Sequence, residues 1–244
     1  MTASMPPAPG ASVSALLETA TQLFRATLLK CLPLAMLAVL FAQLPNIYWI
    51  ATGHQLSLRV PQDSTYEGLA AFGWVVEVLL FAAMMLRQRA VIAGTGVDVT
   101  RELRLALQRL PILLLTLLLA GLSVAAGMLL LVVPGIFLMV CYVVVLPLSL
   151  FEDAGPYRAL VRAVQLMRPW WWKALAALVI AVLVVFICAL VFAAFIGVFA
   201  ALLAGEGPAF QALETASSVG LIAVVFVFFS SLVLVFHSAA SNSA

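Results

Sequence analysis

The sequence predicts an all-α integral membrane protein, with six transmembrane helices and three amphipathic interfacial helices on the cytoplasmic side. Three observations carry this. First, the 244 residues are 66% hydrophobic and 9% charged, against about 25% charged in an ordinary soluble domain. A water-soluble fold of this length has nowhere to put so much apolar surface. Second, the apolar residues fall into six runs near the roughly 20 residues that cross a bilayer as a helix. Third, eleven of the twelve Lys and Arg fall on one side of those runs. The net charge of +2 is small and the cations form no compact stripe, which excludes nucleic acid as a partner.

Residues 1–11 read as a short disordered tail. They lack the positively charged start of a signal peptide, since the first cation is Arg25. Residues 12–238 form one polytopic domain and 239–244 a second short tail. The spans are expected at 28–51, 69–92, 110–130, 133–151, 170–200 and 217–237. Between 110 and 151 no charge interrupts the apolar stretch, and the only punctuation is Pro134 and Gly135 in "AAGMLLLVVPGIF". Proline suits a helix first turn and glycine permits close approach. A tight turn just before Pro134 therefore divides the stretch into two passes. One unbroken helix would measure about 60 Å, twice the hydrocarbon thickness. Pro147 marks a further kink.

Arg25 and Lys30 precede the first span. Arg87, Arg89, Arg101, Arg104 and Arg109 fall at the second connection, and Arg158, Arg162, Arg168 and Lys173 at the fourth. Only Arg59 lies on the other side, beside Asp63, Glu67, Glu206 and Glu214. The positive-inside rule then puts both termini in the cytoplasm. "LETATQ", "LRLALQ" and "LVRAVQ" share the pattern L-x-x-A-x-Q, each ahead of a pair of spans. This is the signature of a three-fold internal repeat. All three stretches are amphipathic. In 156–168, Arg158, Arg162, Gln165 and Arg168 share an arc of about 120° opposite Leu160, Ala163, Val164 and Met167, with Val161 the misfit. Glu18, Gln22 and Arg25 oppose Leu16, Leu23 and Phe24. Arg101, Arg104 and Gln108 oppose Leu103, Leu107 and Leu110. Such helices lie in the headgroup plane with the apolar face down, or else extend the spans and pack on one another. The in-plane arrangement is the expectation.

"RPWWWK" sits at the cytoplasmic end of the fifth span. Consecutive helical residues diverge by 100°, so Trp170, Trp171 and Trp172 cover about 200° and cannot converge on one ligand. A membrane anchor needs no convergence, because each indole buries its ring and keeps its N–H in the wet layer. The alternative is a headgroup site in which Arg168 and Lys173 hold a phosphate. Pro169 marks the break between the amphipathic helix and the span.

Residues 129–173 carry a resemblance. Pro134, Gly135, Pro147, Glu152, Ala159, Leu160, Arg162 and Leu166 match the pattern of the bacterial membrane domain attached to some glycerophosphoryl diester phosphodiesterases. They match the stand-alone YciC-type inner-membrane proteins similarly. Ala163 replaces the usual serine, and Pro169 stands near where glycine is common. The resemblance implies a multi-pass inner-membrane protein. The phosphodiesterase chemistry belongs to a soluble barrel that this sequence does not contain, so it is not implied here.

No motif supplies chemistry. The two histidines, His54 and His237, fall on opposite sides, and neither a metal-ligand spacing nor a nucleophile motif is present. Cys31, Cys141 and Cys188 lie in apolar runs without pairing. Glu152 and Asp153 complement a helix N-terminus. The sequence therefore reads as non-enzymatic, with no cofactor and no metal. Glu77 is the one ionisable residue placed within a span, where it either couples transport or fixes packing. The leading function is action on membrane lipids, anionic ones in particular, or envelope maintenance through the basic interfacial helices. The alternatives are a small transporter built on Glu77, or a scaffold that binds another membrane protein or a second copy through small-residue faces such as Gly121, Ala125 and Ala126.

Overall fold

The computed structural model describes residues 12–52, 63–96, 98–152, 155–203 and 208–242. His54, Arg59, Asp153 and Glu206, used above to set orientation and helix charge, lie outside them. The described chain is helical with no strand. It runs α1 (Val13–Ala42), α2 (Leu44–Ala51), α3 (Ser64–Ile92), α4 (Val99–Leu130), α5 (Val132–Cys141), a 3-10 turn (Tyr142–Val144), α6 (Val145–Phe151), α7 (Pro156–Met167), a second 3-10 turn (Arg168–Trp170), α8 (Trp171–Leu203) and α9 (Pro208–Ser241). Six stretches are long and apolar enough to span a membrane: α1, α3, α4, α5 with α6, the α7–α8 run, and α9. This is an all-α multi-pass membrane protein.

Helix starts follow from side-chain caps. Ser12 Oγ accepts from the Ala15 N–H at 3.3 Å. Asp63 accepts from Thr65 N–H and Asp98 from Thr100 N–H, both at 3.0 Å. Each satisfies a donor the first turn leaves free. The first and second amphipathic segments are not separate helices lying in a plane. They are the first turns of α1 and α4, continuous with the spans, and the faces they bury are turned onto other helices. Leu16, Ala20 and Leu23 are buried, with α9 the main neighbour of α1. Protein surface was available to cover them, and α1 and α4 run on into the spans through Pro33 and Pro111 without breaking.

The expected first span over 28–51 is instead bent at Gln43. Pro45 explains this: it has no N–H for the Phe41 carbonyl, and its ring crowds that group. The freed carbonyl lies against α3 at Gly73, where an added Cβ would sit 2.6 Å from the Phe41 oxygen. The short α2 folds over the start of α3. Tyr48 Oη donates to Asp63 at 3.0 Å, Tyr66 Oη donates to Asn46 at 3.2 Å, and the Trp49 and Tyr66 rings meet edge-on.

The turn between the third and fourth spans is at Leu131, whose backbone is extended (φ −161°, ψ 138°). Pro134 then occupies the first turn of α5. Gly135 faces Gly127 across the hairpin, and an added Cβ on Gly127 would lie 3.0 Å from the Gly135 Cα. Pro147 is buried in α6. It deprives the Val143 carbonyl of a donor just where the helix tightens to 3-10 geometry.

Two buried polar assemblies tie the bundle together. Gln88 of α3 donates from Nε2 toward Ser231 Oγ (3.0 Å), the Val227 carbonyl (3.3 Å) and Thr27 Oγ1 (3.4 Å), and its Oε1 accepts from Ser230 Oγ (2.8 Å). This joins α1, α3 and α9. One residue earlier, Arg87 donates from Nε to Glu102 Oε2 at 2.8 Å and from Nη1 to the Lys30 carbonyl at 2.7 Å, joining α1, α3 and α4. Arg87 was expected in a solvated connection. It belongs to α3, 4% exposed, because the helix runs five residues past it.

Candidate functional site

The basic segment ahead of the fifth span is the separate helix α7. Pro156 begins it, a position that needs no N–H donor. Ala159, Leu160, Ala163, Leu166 and Met167 are buried against α4, α5 and α6. The apolar face is thus covered by protein, where the in-plane expectation had it facing lipid. The two alanines, four residues apart, allow the close seating. Arg158, Val161, Arg162, Gln165 and Arg168 are exposed on the other side, so the misfit Val161 shares the basic face. Arg158 and Arg168 make no ion pair among the described residues. The helix breaks at Arg168–Trp170, around Pro169.

The three tryptophans diverge. Trp170 is buried, with Lys173 Nζ 4.8 Å from its ring centroid. Trp171 packs on Phe137 of α5 at 5.7 Å and meets Trp172 edge-on at 4.4 Å; its Nε1 is buried without a hydrogen-bond partner. Trp172 is 75% exposed. Only this last ring is exposed; the other two pack against the bundle.

Arg162 is not free on the basic face. Its Nε lies 2.7 Å from Glu152 Oε2, at the end of α6, and Glu152 Oε1 lies 3.3 Å from His237 Nε2 of α9. The Arg89 guanidinium of α3 stands 4.4 Å over the adjacent Phe151 ring. Four helices therefore bring one carboxylate, one imidazole and two guanidinium groups together. The sequence pairs none of these residues: Glu152 and His237 are 85 positions apart.

Glu77 is half-buried on α3 and makes no hydrogen bond or ion pair among the described residues. It shares a helix stripe with Leu80, Met84 and Gln88. Leu80 and Met84 are fully packed, so apolar side chains fill the stripe between Glu77 and the Gln88 assembly. A cavity of about 100 Å³ lies between α8 and α9, beside Ala193, Gly197, Ser217 and Ser218. Glu77 does not line it. Among the described residues no three His, Cys, Asp or Glu side chains converge as a metal would require, and the three cysteines are unpaired. Gly121, Ala125 and Ala126 are exposed on α4, on the side away from the buried Gly127.

The chain matches no family model, no curated protein and no solved structure.

Proposed function

We propose that this membrane protein acts without catalysis on anionic phospholipid at the cytoplasmic face of a bacterial inner membrane, in lipid organisation, lipid passage or envelope maintenance. On this reading it belongs with the YciC-type proteins that residues 129–173 resemble. The observation that carries the reading is the posture of α7. Its apolar face is spent on the bundle, so the exposed Arg158, Arg162 and Arg168 are held in a fixed row leading to the exposed Trp172. Each basic residue near an anionic surface contributes about 1 kcal/mol, and an exposed indole at the same end supplies an interfacial anchor.

The test is native mass spectrometry of the gently extracted protein. Anionic phospholipid is expected to be retained over zwitterionic lipid. Changing Arg158, Arg162, Arg168 and Lys173 to glutamine should lower that retention by about tenfold or more. Equal retention by the neutralised variant rejects the reading. Orientation is tested independently: a reporter active only in the periplasm should stay silent at either terminus, and a signal from either end reverses the proposed topology.

The exposed small-residue stripe at Gly121, Ala125 and Ala126 favours a second reading, in which this face of α4 receives another membrane protein or a second copy. The same spectra decide it. A stoichiometric partner or a dimer that disappears on Gly121→Leu supports it, and a lone monomer rejects it.

A further inference from the structure

We propose that Arg89, Arg162 and His237 form a discrete site for an anionic phosphodiester headgroup at the junction of α3, α6, α7 and α9, with Glu152 as its built-in competitor. The proposal rests on the lipid reading above and sharpens it from a basic face to one coordinating set. The charges that face His237 are Glu152 from α6, Arg162 from α7 and Arg89 from α3. One carboxylate thus stands among two permanent cations and a titratable one. Arg162 spends one edge on Glu152 while its side chain remains 55% exposed, leaving guanidinium donors for a second acceptor. Arg89 is oriented by its stack on Phe151 and has no carboxylate of its own among the described residues. Two guanidinium groups and an imidazole are a phosphate-binding donor set. Glu152 now supplies the negative charge that a phosphate would bring.

A proton dependence follows. Acidification charges His237, which places a third cation beside Arg89 and Arg162. This change strengthens the site for an anion. The dependence falls in the mildly acidic range, where an imidazole takes up its proton. A phosphodiester keeps a constant single charge over that range, so the ligand itself does not titrate.

The experiment is isothermal titration calorimetry of the full chain in neutral detergent against short-chain phosphatidylglycerol, with short-chain phosphatidylcholine as the control. Phosphatidylglycerol should bind about three- to fivefold tighter at pH 5.5 than at pH 8, the scale set by a partly exposed ion pair. Glu152→Gln should bind more tightly than the parent at pH 8, because the competing carboxylate is gone. Arg89→Gln with Arg162→Gln should lose about tenfold or more at both. If Glu152→Gln fails to fold, His237→Gln replaces it and should flatten the pH response. A parent protein indifferent to pH, or a folded Glu152→Gln that binds more weakly, overturns the proposal. Should Arg158→Gln with Arg168→Gln abolish binding while the parent shows no pH response, the general lipid reading survives and this site does not. No preference for phosphatidylglycerol in any variant rejects both. Dimethyl phosphate separates the sources: competition by it at comparable concentration supports the site and assigns it to a soluble phosphodiester, whereas lipid-only binding supports it as a headgroup site.

Discussion

Replacing Arg87 with methionine is expected to destabilise the protein by roughly 3–5 kcal/mol, the usual result of removing one partner from a buried ion pair. Glu102 is 6% exposed, and the substitution strands its charge with little contact to water and without the ion pair it makes among the described residues. The Lys30 carbonyl loses its donor at the same stroke. The pair itself is not fully satisfied, since Arg87 Nη2 and Glu102 Oε1 have no hydrogen-bond partners among the described residues. Changing both residues, Arg87→Met with Glu102→Leu, should therefore recover most of the loss, because two well-packed apolar side chains replace two desolvated charges. The measurement is the temperature at which each variant ceases to run as a monodisperse peak in detergent. A single Arg87→Met variant as stable as the parent would show that the pair is hydrated and not a clasp.

The second large effect is steric. Gly73→Ala should cost about 1–3 kcal/mol, the range for forcing an extra carbon into a filled space. The new Cβ meets a backbone carbonyl at 2.6 Å, and backbone does not move aside as a side chain does. Gly135→Ala meets Met128 Cγ at 2.5 Å and Sδ at 2.6 Å. A thioether is the most adaptable neighbour available, although the Met128 backbone N at 2.8 Å limits the escape. Gly121→Ala meets nothing within 4 Å and should be neutral, or stabilising by up to about 1 kcal/mol through helix propensity. The expected order of thermal stability is thus Gly121→Ala, then Gly135→Ala, then Gly73→Ala. Equal behaviour of all three variants would sink the close-contact account.

Composition and run length made the spans legible, because both report the solvent a helix faces. The turn ahead of Pro134 was also legible to within three residues, since proline and glycine restrict backbone directly. Pro45 carried the same kind of information about the bend at Gln43, but hydropathy continued smoothly across it and masked the signal. Amphipathicity located the buried faces of α1 and α7 without saying what would bury them, and it missed that of α4, where Leu107 is exposed and Glu102 and Ala106 are buried. A lipid surface and a neighbouring helix ask for the same residues. The "RQR" of Arg87, Gln88 and Arg89 looks in sequence like one polar boundary. In the fold its three side chains go to a buried carboxylate, a buried hydroxyl cluster and an aromatic ring. Three directions 100° apart on one helix find three different surroundings, and only the arrangement of the other helices decides which.

The Gln88 assembly also has a bearing on biogenesis. Its acceptor Ser231 is 143 residues downstream, and a ribosome adding about 5–20 residues per second needs on the order of ten to thirty seconds to produce it. Through that interval the nascent chain carries an amide inside the lipid that only Thr27, among its final side-chain partners, has yet been made to meet. The insertion machinery must either shelter that half-built trio of helices or hold it at the translocon until α9 arrives, and this part of the bundle is accordingly complete only once α9 has been made.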